Sequence, residues 1–404
     1  MTTTATRPQF SVVFGDREFR VLWLAQLLSV AGDQLARVAL TVLVYDRTRS
    51  PLLAAVAYAA SVVPEFLGGL LLSGLADRLP RRAVMIACSL LQAGLVAVMT
   101  VPGVSTGVLI VLLAVVTLVS TPFTAARAAL YADILHGDAY ALGTGITMTT
   151  YQVALVVGFA LGGAVVALAG ARYCLIADAI TFVVSALLVR AGVRARPAPR
   201  AEEEAGDSAD SAGIWPVTRL VFGRAALRVP MLLGWISAAY NVPEGVAAPL
   251  AHSLGAGAAA VGLILAAPAL GSSAGSLVFG RLVPAPGRRR AMIPLAVAAC
   301  GLLCLIALRP GLPGLLVILA AAGICDCYQL AANAAFVAAV PARARAQAFG
   351  LAQGGMSLGQ GMVMIAAGAI ATHLSPAVVV ALFGAAGAAI TVIAAGTGLR
   401  DERT

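Results

Sequence analysis

Apolar runs of about 19 to 27 residues recur along the whole chain, the length of helix a bilayer's hydrocarbon core demands. Inside such a solvent every backbone amide must be paired within its own segment, so each run is expected to be helical. The runs fall at 20–45, 52–75, 83–102, 106–131, 141–169, 173–191, 228–251, 257–281, 291–308, 313–337, 346–373 and 377–398. With 60% hydrophobic and only 11% charged residues in 404, the chain has too few charges to clothe a soluble domain of that size. The expected class is an all-α membrane protein with twelve transmembrane helices.

Charge placement sets the orientation. Lysine is absent, so all 27 basic residues are arginine. With the N-terminus inside, 21 arginines fall in or beside cytoplasmic segments and four (Arg47, Arg49, Arg172, Arg309) in outer loops. That bias places both termini in the cytoplasm and explains the net charge of +9 without nucleic acid as a partner. Segment 1–19 is polar and lacks an apolar core followed by a cleavage site, so it does not read as a removable signal peptide. Segment 192–227, with Arg-Pro alternation and then Glu202-Glu203-Glu204, cannot bury a core and reads as a cytoplasmic linker between bundles 20–191 and 228–398. Trp215 to Phe222 within it suits a short surface helix, and 399–404 is a tail.

The two bundles repeat each other. Phe123-Thr124-Ala125-Ala126-Arg127-Ala128-Ala129-Leu130 near the end of helix four returns as Gln329-Leu330-Ala331-Ala332-Asn333-Ala334-Ala335-Phe336 in helix ten. Gly162-Gly163 likewise matches Gly368-Ala369. Duplicated six-helix halves are a transporter architecture, with sites near the midplane. The loop Gly74-Leu75-Ala76-Asp77-Arg78-Leu79-Pro80-Arg81-Arg82 has a weaker copy at Gly280-Arg281-Leu282 and Gly287-Arg288-Arg289-Arg290.

That loop resembles the signature between helices two and three of the major facilitator superfamily, roughly G-x-L-A-D-R-x-G-R-R, with Pro80 where the family has glycine. The resemblance extends over essentially the whole chain and implies two pseudo-symmetric six-helix bundles. The nearest branch looks like the bacterial drug and siderophore exporters, on Gly32-Asp33-Gln34-Leu35, Val44-Tyr45-Asp46-Arg47-Thr48 and Ala177-Asp178-Ala179-Ile180-Thr181-Phe182. Gly158-Phe159-Ala160-Leu161-Gly162-Gly163 resembles the antiporter motif G-P-x-x-G-G, with Phe159 replacing proline, and is expected to pack tightly on a neighbour such as helix eight. The resemblance also implies that Asp77 caps helix eleven near Ala346–Gly350, that Arg81 pairs with Asp133, and that the protein resides in a bacterial cell membrane.

Charge at the bilayer centre costs about 2.5–3.5 kcal/mol per residue on insertion scales. Asp33, Glu65 and Asp326 lie close to mid-helix, and Glu244 lies a little outward of centre, one residue after Pro243. They are expected to face one another or a wet cavity. Together with Arg37, Asn241 and Asn333 they form the candidate set for proton coupling and substrate binding; the resemblance implies that helices one, four, seven and ten line the cavity. Asp33 and Arg37, four apart on one helical face, fit either a fixed ion pair or an exchangeable proton site. Asp178 reads as a helix-packing acid.

Six cysteines all lie in apolar runs, three histidines are scattered near helix ends, and no G-x-x-x-x-G-K-[ST] occurs. No metal site, cofactor or catalytic constellation is expected, and the reading is not that of an enzyme. The leading reading is a monomeric secondary exporter that exchanges a lipophilic or amphipathic small molecule for protons. Proton-coupled uptake of a small metabolite, or a membrane sensor without flux, stands as the alternative.

Overall fold

The computed structural model describes residues 10–72, 75–197, 214–341 and 344–401. Gly74, Arg343 and Glu202 to Glu204 lie outside the described residues, as do the side chain of Asp77 and hence its expected cap on helix eleven. Among the described residues all regular structure is helical.

Each predicted run falls on a helix. Helices one to six are Arg17–Thr48, Pro51–Gly69, Arg81–Met99, Thr106–Ile134, Asp138–Ala169 and Ala171–Gly192. Helices eight, nine, ten and twelve are Ala258–Leu282, Pro286–Leu308, Leu312–Ala339 and Pro376–Gly396. These ten are long and apolar enough to cross a membrane. Helix seven runs Ala225–Tyr240 and continues as short pieces, Val242–Gly245 and Ala247–Ser253. Helix eleven, Arg345–Ile370, is diluted by Gln347, Gln353, Gln360 and several glycines. A further helix, Ile214–Gly223, precedes helix seven at an angle of 98°. It buries Val217 and Val221 against Leu227, Met231 and Phe336 and leaves Trp215 exposed, as an amphipathic surface helix does.

The chain divides into two compact units. One comprises Met1–Ala39 and Leu67–Ala205, the other Leu40–Phe66 and Gly206–Thr404. The second unit thus holds a hairpin, 40–66, made of the end of helix one and most of helix two. Ser50 starts the returning arm by accepting from the Leu53 amide at 3.3 Å, with Pro51 in the first turn, where its missing N–H costs nothing.

Small residues decide the packing in each unit. In the first, an added methyl on Gly158 would lie 2.8 Å from Cβ of Gln34, and one on Gly162 would lie 3.2 Å from Cα of Leu35. The faces of Gly158 and Gly162 in helix five are therefore seated on helix one. The residues facing those glycines are the far larger Gln34, Leu35 and Val38, whose backbone and Cβ atoms come close only because no Cβ intervenes. In the second unit, Gly354, Gly361 and Gly368 of helix eleven form a seven-residue ladder. Methyls there would collide with Phe66, Val63 and Ala55 of the hairpin.

Three helices break next to acids. Helix two is interrupted over Ala60–Val62 and resumes at Val63, which puts Glu65 in a first turn where the helix dipole favours an anion. Helix seven stops at Asn241, and Pro243 opens the four-residue piece that carries Glu244. Helix ten stops at Asp326 and resumes at Tyr328. Irregular backbone at such depth is tolerated where it is buried in protein or lines a cavity.

Candidate functional site: buried carboxyls in two polar clusters

Among the described residues three carboxyl side chains are buried: Glu18, Asp178 and Asp326. Glu18 is satisfied by charge. It accepts from Arg196 Nη2 at 2.6 Å and from the Arg194 amide at 2.5 Å. The other two have neutral hydrogen-bond partners. Asp326 accepts from the Gln329 side-chain amide at 2.6 Å and from the Ser272 hydroxyl at 3.2 Å. Asp178 is 1% exposed, and its carboxyl meets only the Thr181 hydroxyl, at 3.5 Å, a contact too long to count for much. Among the described residues neither carries an ion pair. Buried charge is usually paired, so a carboxyl with neutral company is a group that exists comfortably only with a proton or a visiting cation.

In the first unit Asp178 stands beside helix one. A methyl on Gly32 would collide with its carboxyl and with Thr181, and the half-buried Asp33 lies within electrostatic range of it. Two acids, one from helix one and one from helix six, thus share one crossing that glycine makes possible. Arg37, one turn further along helix one, is half-buried, and both it and Asp33 are engaged in polar interactions. Sequence reasoning gave Asp178 a packing role. The signal that points to more is the glycine directly before Asp33.

In the second unit Tyr58 of the hairpin donates to Glu244 at 3.0 Å. Tyr240, one turn before Glu244, lies within electrostatic range of both Glu244 and Asp326, and its buried hydroxyl has no hydrogen-bond partner among the described residues. Tyr328 donates to the Leu233 carbonyl at 3.1 Å, tying helix ten to helix seven. Glu244 and Asp326 are therefore members of one polar cluster, with Asn241 half-buried at the break between Tyr240 and Glu244. Glu65 is exposed, and Asn333 is exposed about 10 Å of helix beyond Asp326. A cavity of about 640 Å³ with Pro230, Met292, Ala331 and Ala335 in its walls has Arg288 and Arg289 on its lining and includes none of the candidate acids.

Tyr58→Phe removes only the hydroxyl on Glu244. The expected loss is about 1.5–3 kcal/mol if Glu244 is charged, read as a lower thermal unfolding midpoint in detergent. In a double-mutant cycle with Glu244→Gln the two effects should not add. Additive effects would mean that the bond carries no weight.

The loop between helices two and three is held from outside itself. Arg81 pairs with Asp133 of helix four, as the sequence suggested, and Arg82 Nη2 donates to the Arg190 carbonyl of helix six at 2.5 Å. Arg78 is exposed in the short helix Leu75–Arg78, which also carries Asp77. The second copy closes on itself. Arg288 donates to the carbonyls of Val283 at 2.6 Å and Gly280 at 2.9 Å, while Arg281 and Arg289 are exposed. The repeat explains the difference: the residue corresponding to Asp133 is Ala339, so Arg288 has no acid to reach.

The family model described as Major Facilitator Superfamily matches residues 22–244 and 237–404, so both halves are covered. The chain belongs to the Major Facilitator Superfamily. It is a multi-pass membrane protein of a transporter family, and its all-helical fold is the major facilitator fold. A relative in Bacillus subtilis (strain 168), the uncharacterized MFS-type transporter YkuC, is 26% identical over 181 residues. That match covers 44% of this chain and 42% of the relative, so the chain spans less than half the length of the curated relative it matches. Among solved structures, a POT family transporter in complex with 5-aminolevulinic acid superposes with TM-score 0.75 at 12% identity, covering 98% of each chain. A bacterial homolog of the lysosomal transporter Spinster, inward-facing and unoccupied, gives 0.69 at 17% identity over 96% of this chain and 97% of that one. A D-xylose–proton symporter gives 0.66 at 14% identity, covering 93% and 96%. At these identities the major facilitator fold is what is shared.

Proposed function

We propose that this major facilitator protein is a proton-coupled secondary exporter of a lipophilic or amphipathic small molecule, of the drug and siderophore exporter branch. The carrying observation is that Asp178 and Asp326 are buried with no cationic partner among the described residues, while the third buried acid, Glu18, has an arginine. A carboxyl of that kind must exchange its charge state as its surroundings gain or lose water, which is what coupling to a proton gradient requires. Asp33 and Glu244 belong to the same two clusters and help set which state holds the proton; Arg37, Glu65, Asn241 and Asn333 are assigned to the cargo path. The moving bodies are the sequence halves 20–191 and 228–398, joined by a cytoplasmic linker, with both termini inside. Alternating access follows if protonation stabilises one state more than the other, because only a differential interaction shifts such an equilibrium.

The test uses everted membrane vesicles acidified inside, with a panel of radiolabelled amphipathic compounds. Accumulation that collapses with a protonophore is the expected result. Uptake in right-side-out vesicles instead, driven by an outside-acid gradient, would establish symport, and binding without flux in either would establish a sensor.

A further inference from the structure

Arg127 of helix four, in the first unit, is a guanidinium with no carboxylate. Neither an ion pair nor a hydrogen bond to it is found among the described residues, and its Nε is buried without an acceptor. The acid nearest along its own helix, Asp133, is taken by Arg81. What surrounds Arg127 is polar but neutral. Phe123 presents its ring 5.9 Å from the guanidinium carbon, and the hydroxyls of Tyr131 and Tyr151 lie within electrostatic range. Tyr131 donates to Gln26 of helix one at 3.4 Å and also borders Thr147 of helix five. Tyr151 is exposed, so this nest has an open wall.

Arginine does not shed its proton in proteins, so neutralisation is not a way out. Seven residues, about 10 Å of rise, separate Arg127 from the end of helix four at Ile134, so the side chain starts well within the span. Ring and hydroxyl contacts offset part of the desolvation of such a cation, and an anion offsets the rest. The guanidinium's planar fork matches a carboxylate, sulfonate or phosphate, and a tyrosine hydroxyl can donate to the same oxygens.

We propose that Arg127 is the receptor for the anionic headgroup of an amphipathic ligand, with Tyr151 at the entrance as a donor and Tyr131, whose hydroxyl donates to Gln26, as a wall of the nest. The apolar remainder of the ligand lies along the aromatic face that Phe123 begins. This deepens the proposed function, on which it rests for the meaning of the site: the exporter's cargo is an amphipathic anion. A phospholipid headgroup carries the same chemistry, and the two sources are separated below.

The test is binding, not flux, so it can fail while proton-driven transport stands. Purified full-length protein in nonionic detergent is titrated with tritiated 1-naphthoate and, separately, with the neutral isostere 1-naphthamide. The naphthoate is expected to bind at least about tenfold more tightly, a difference of about 1.4 kcal/mol. Arg127→Gln should erase that preference, and Arg127→Lys should keep part of it. Tyr151→Phe, which removes one hydroxyl from an exposed side chain, should weaken naphthoate and not naphthamide. In a second arm, native mass spectrometry counts phosphatidylglycerol retained by each variant. Arg127-dependent naphthoate binding identifies a soluble anion as ligand, and Arg127-dependent retention of phosphatidylglycerol alone identifies a lipid headgroup; both support the anion site. If Arg127→Gln and Tyr151→Phe change neither reading, the anion site does not exist.

Discussion

Asp178→Asn is expected to lower cargo accumulation driven by a pH gradient at least about tenfold, equivalent to about 1.4 kcal/mol of lost coupling. The substitution keeps the shape of the side chain and can keep the contact with Thr181, so the folded protein should survive within about 1 kcal/mol of the parent. What it removes is the ability to change charge beside Asp33. Exchange of labelled for unlabelled cargo at equal pH needs no net proton movement and should persist. That split, gradient-driven accumulation lost and exchange retained, separates a coupling residue from a packing one. Glu18→Gln supplies the control. Glu18 is also buried, but Arg196 and the Arg194 amide fix it as a structural anion, so the variant should be less stable with unaltered coupling. Accumulation by Asp178→Asn at the parent's level would return Asp178 to the packing role its position in helix six first suggested.

Gly275→Leu is expected to be the most disruptive single change in the second unit. Helices eight and ten cross where Gly271 and Gly275 meet the carbonyls of Ala320 and Ile324, and Gly323 meets the carbonyl of Pro268. The opposing atoms are backbone, so they cannot rotate away as a flexible side chain would. Overpacking of this kind costs about 1–3 kcal/mol for small insertions and more for a branched side chain. Gly275→Leu should therefore fail to yield monodisperse protein. Gly275→Ala should yield protein with an unfolding midpoint lower by several degrees. The crossing also sets the chemistry: Ser272 sits between the two glycines and donates to Asp326. A Gly275→Ala variant as stable as the parent, with unaltered coupling, would show that the helices have room the structure does not give them.

Much of this architecture can be read from the residues alone, because bilayer thickness fixes the length of each apolar run. The break in helix seven was legible through Pro243. The break in helix ten was not: Asp326, Cys327 and Tyr328 carry no breaker residue, and the interruption appears only where Asp326 meets Ser272 and Gln329. Tyr58 and Tyr240 were passed over because a tyrosine in an apolar run reads as core. Only the fold brings their hydroxyls to Glu244 and Asp326. Asp178 escaped for the same reason, since its partner Gly32 is remote in sequence. Small-residue faces advertise close packing without naming the partner, and only the fold seats Gly158 and Gly162 against Gln34, Leu35 and Val38 of helix one. The pairing of Arg81 with Asp133, which the family resemblance implied, is formed in the structure.

The central claim, that cargo moves out as protons move in through carboxyls left without cationic partners, is tested most directly inside sealed proteoliposomes carrying a trapped pH-sensitive dye. Imposing an outward gradient of a transported amphipathic compound, with no initial pH difference, should drive the lumen acidic in the parent protein and leave it unchanged in Asp178→Asn. Cargo leaving the parent's vesicles at full rate while the lumen holds its pH would contradict the account.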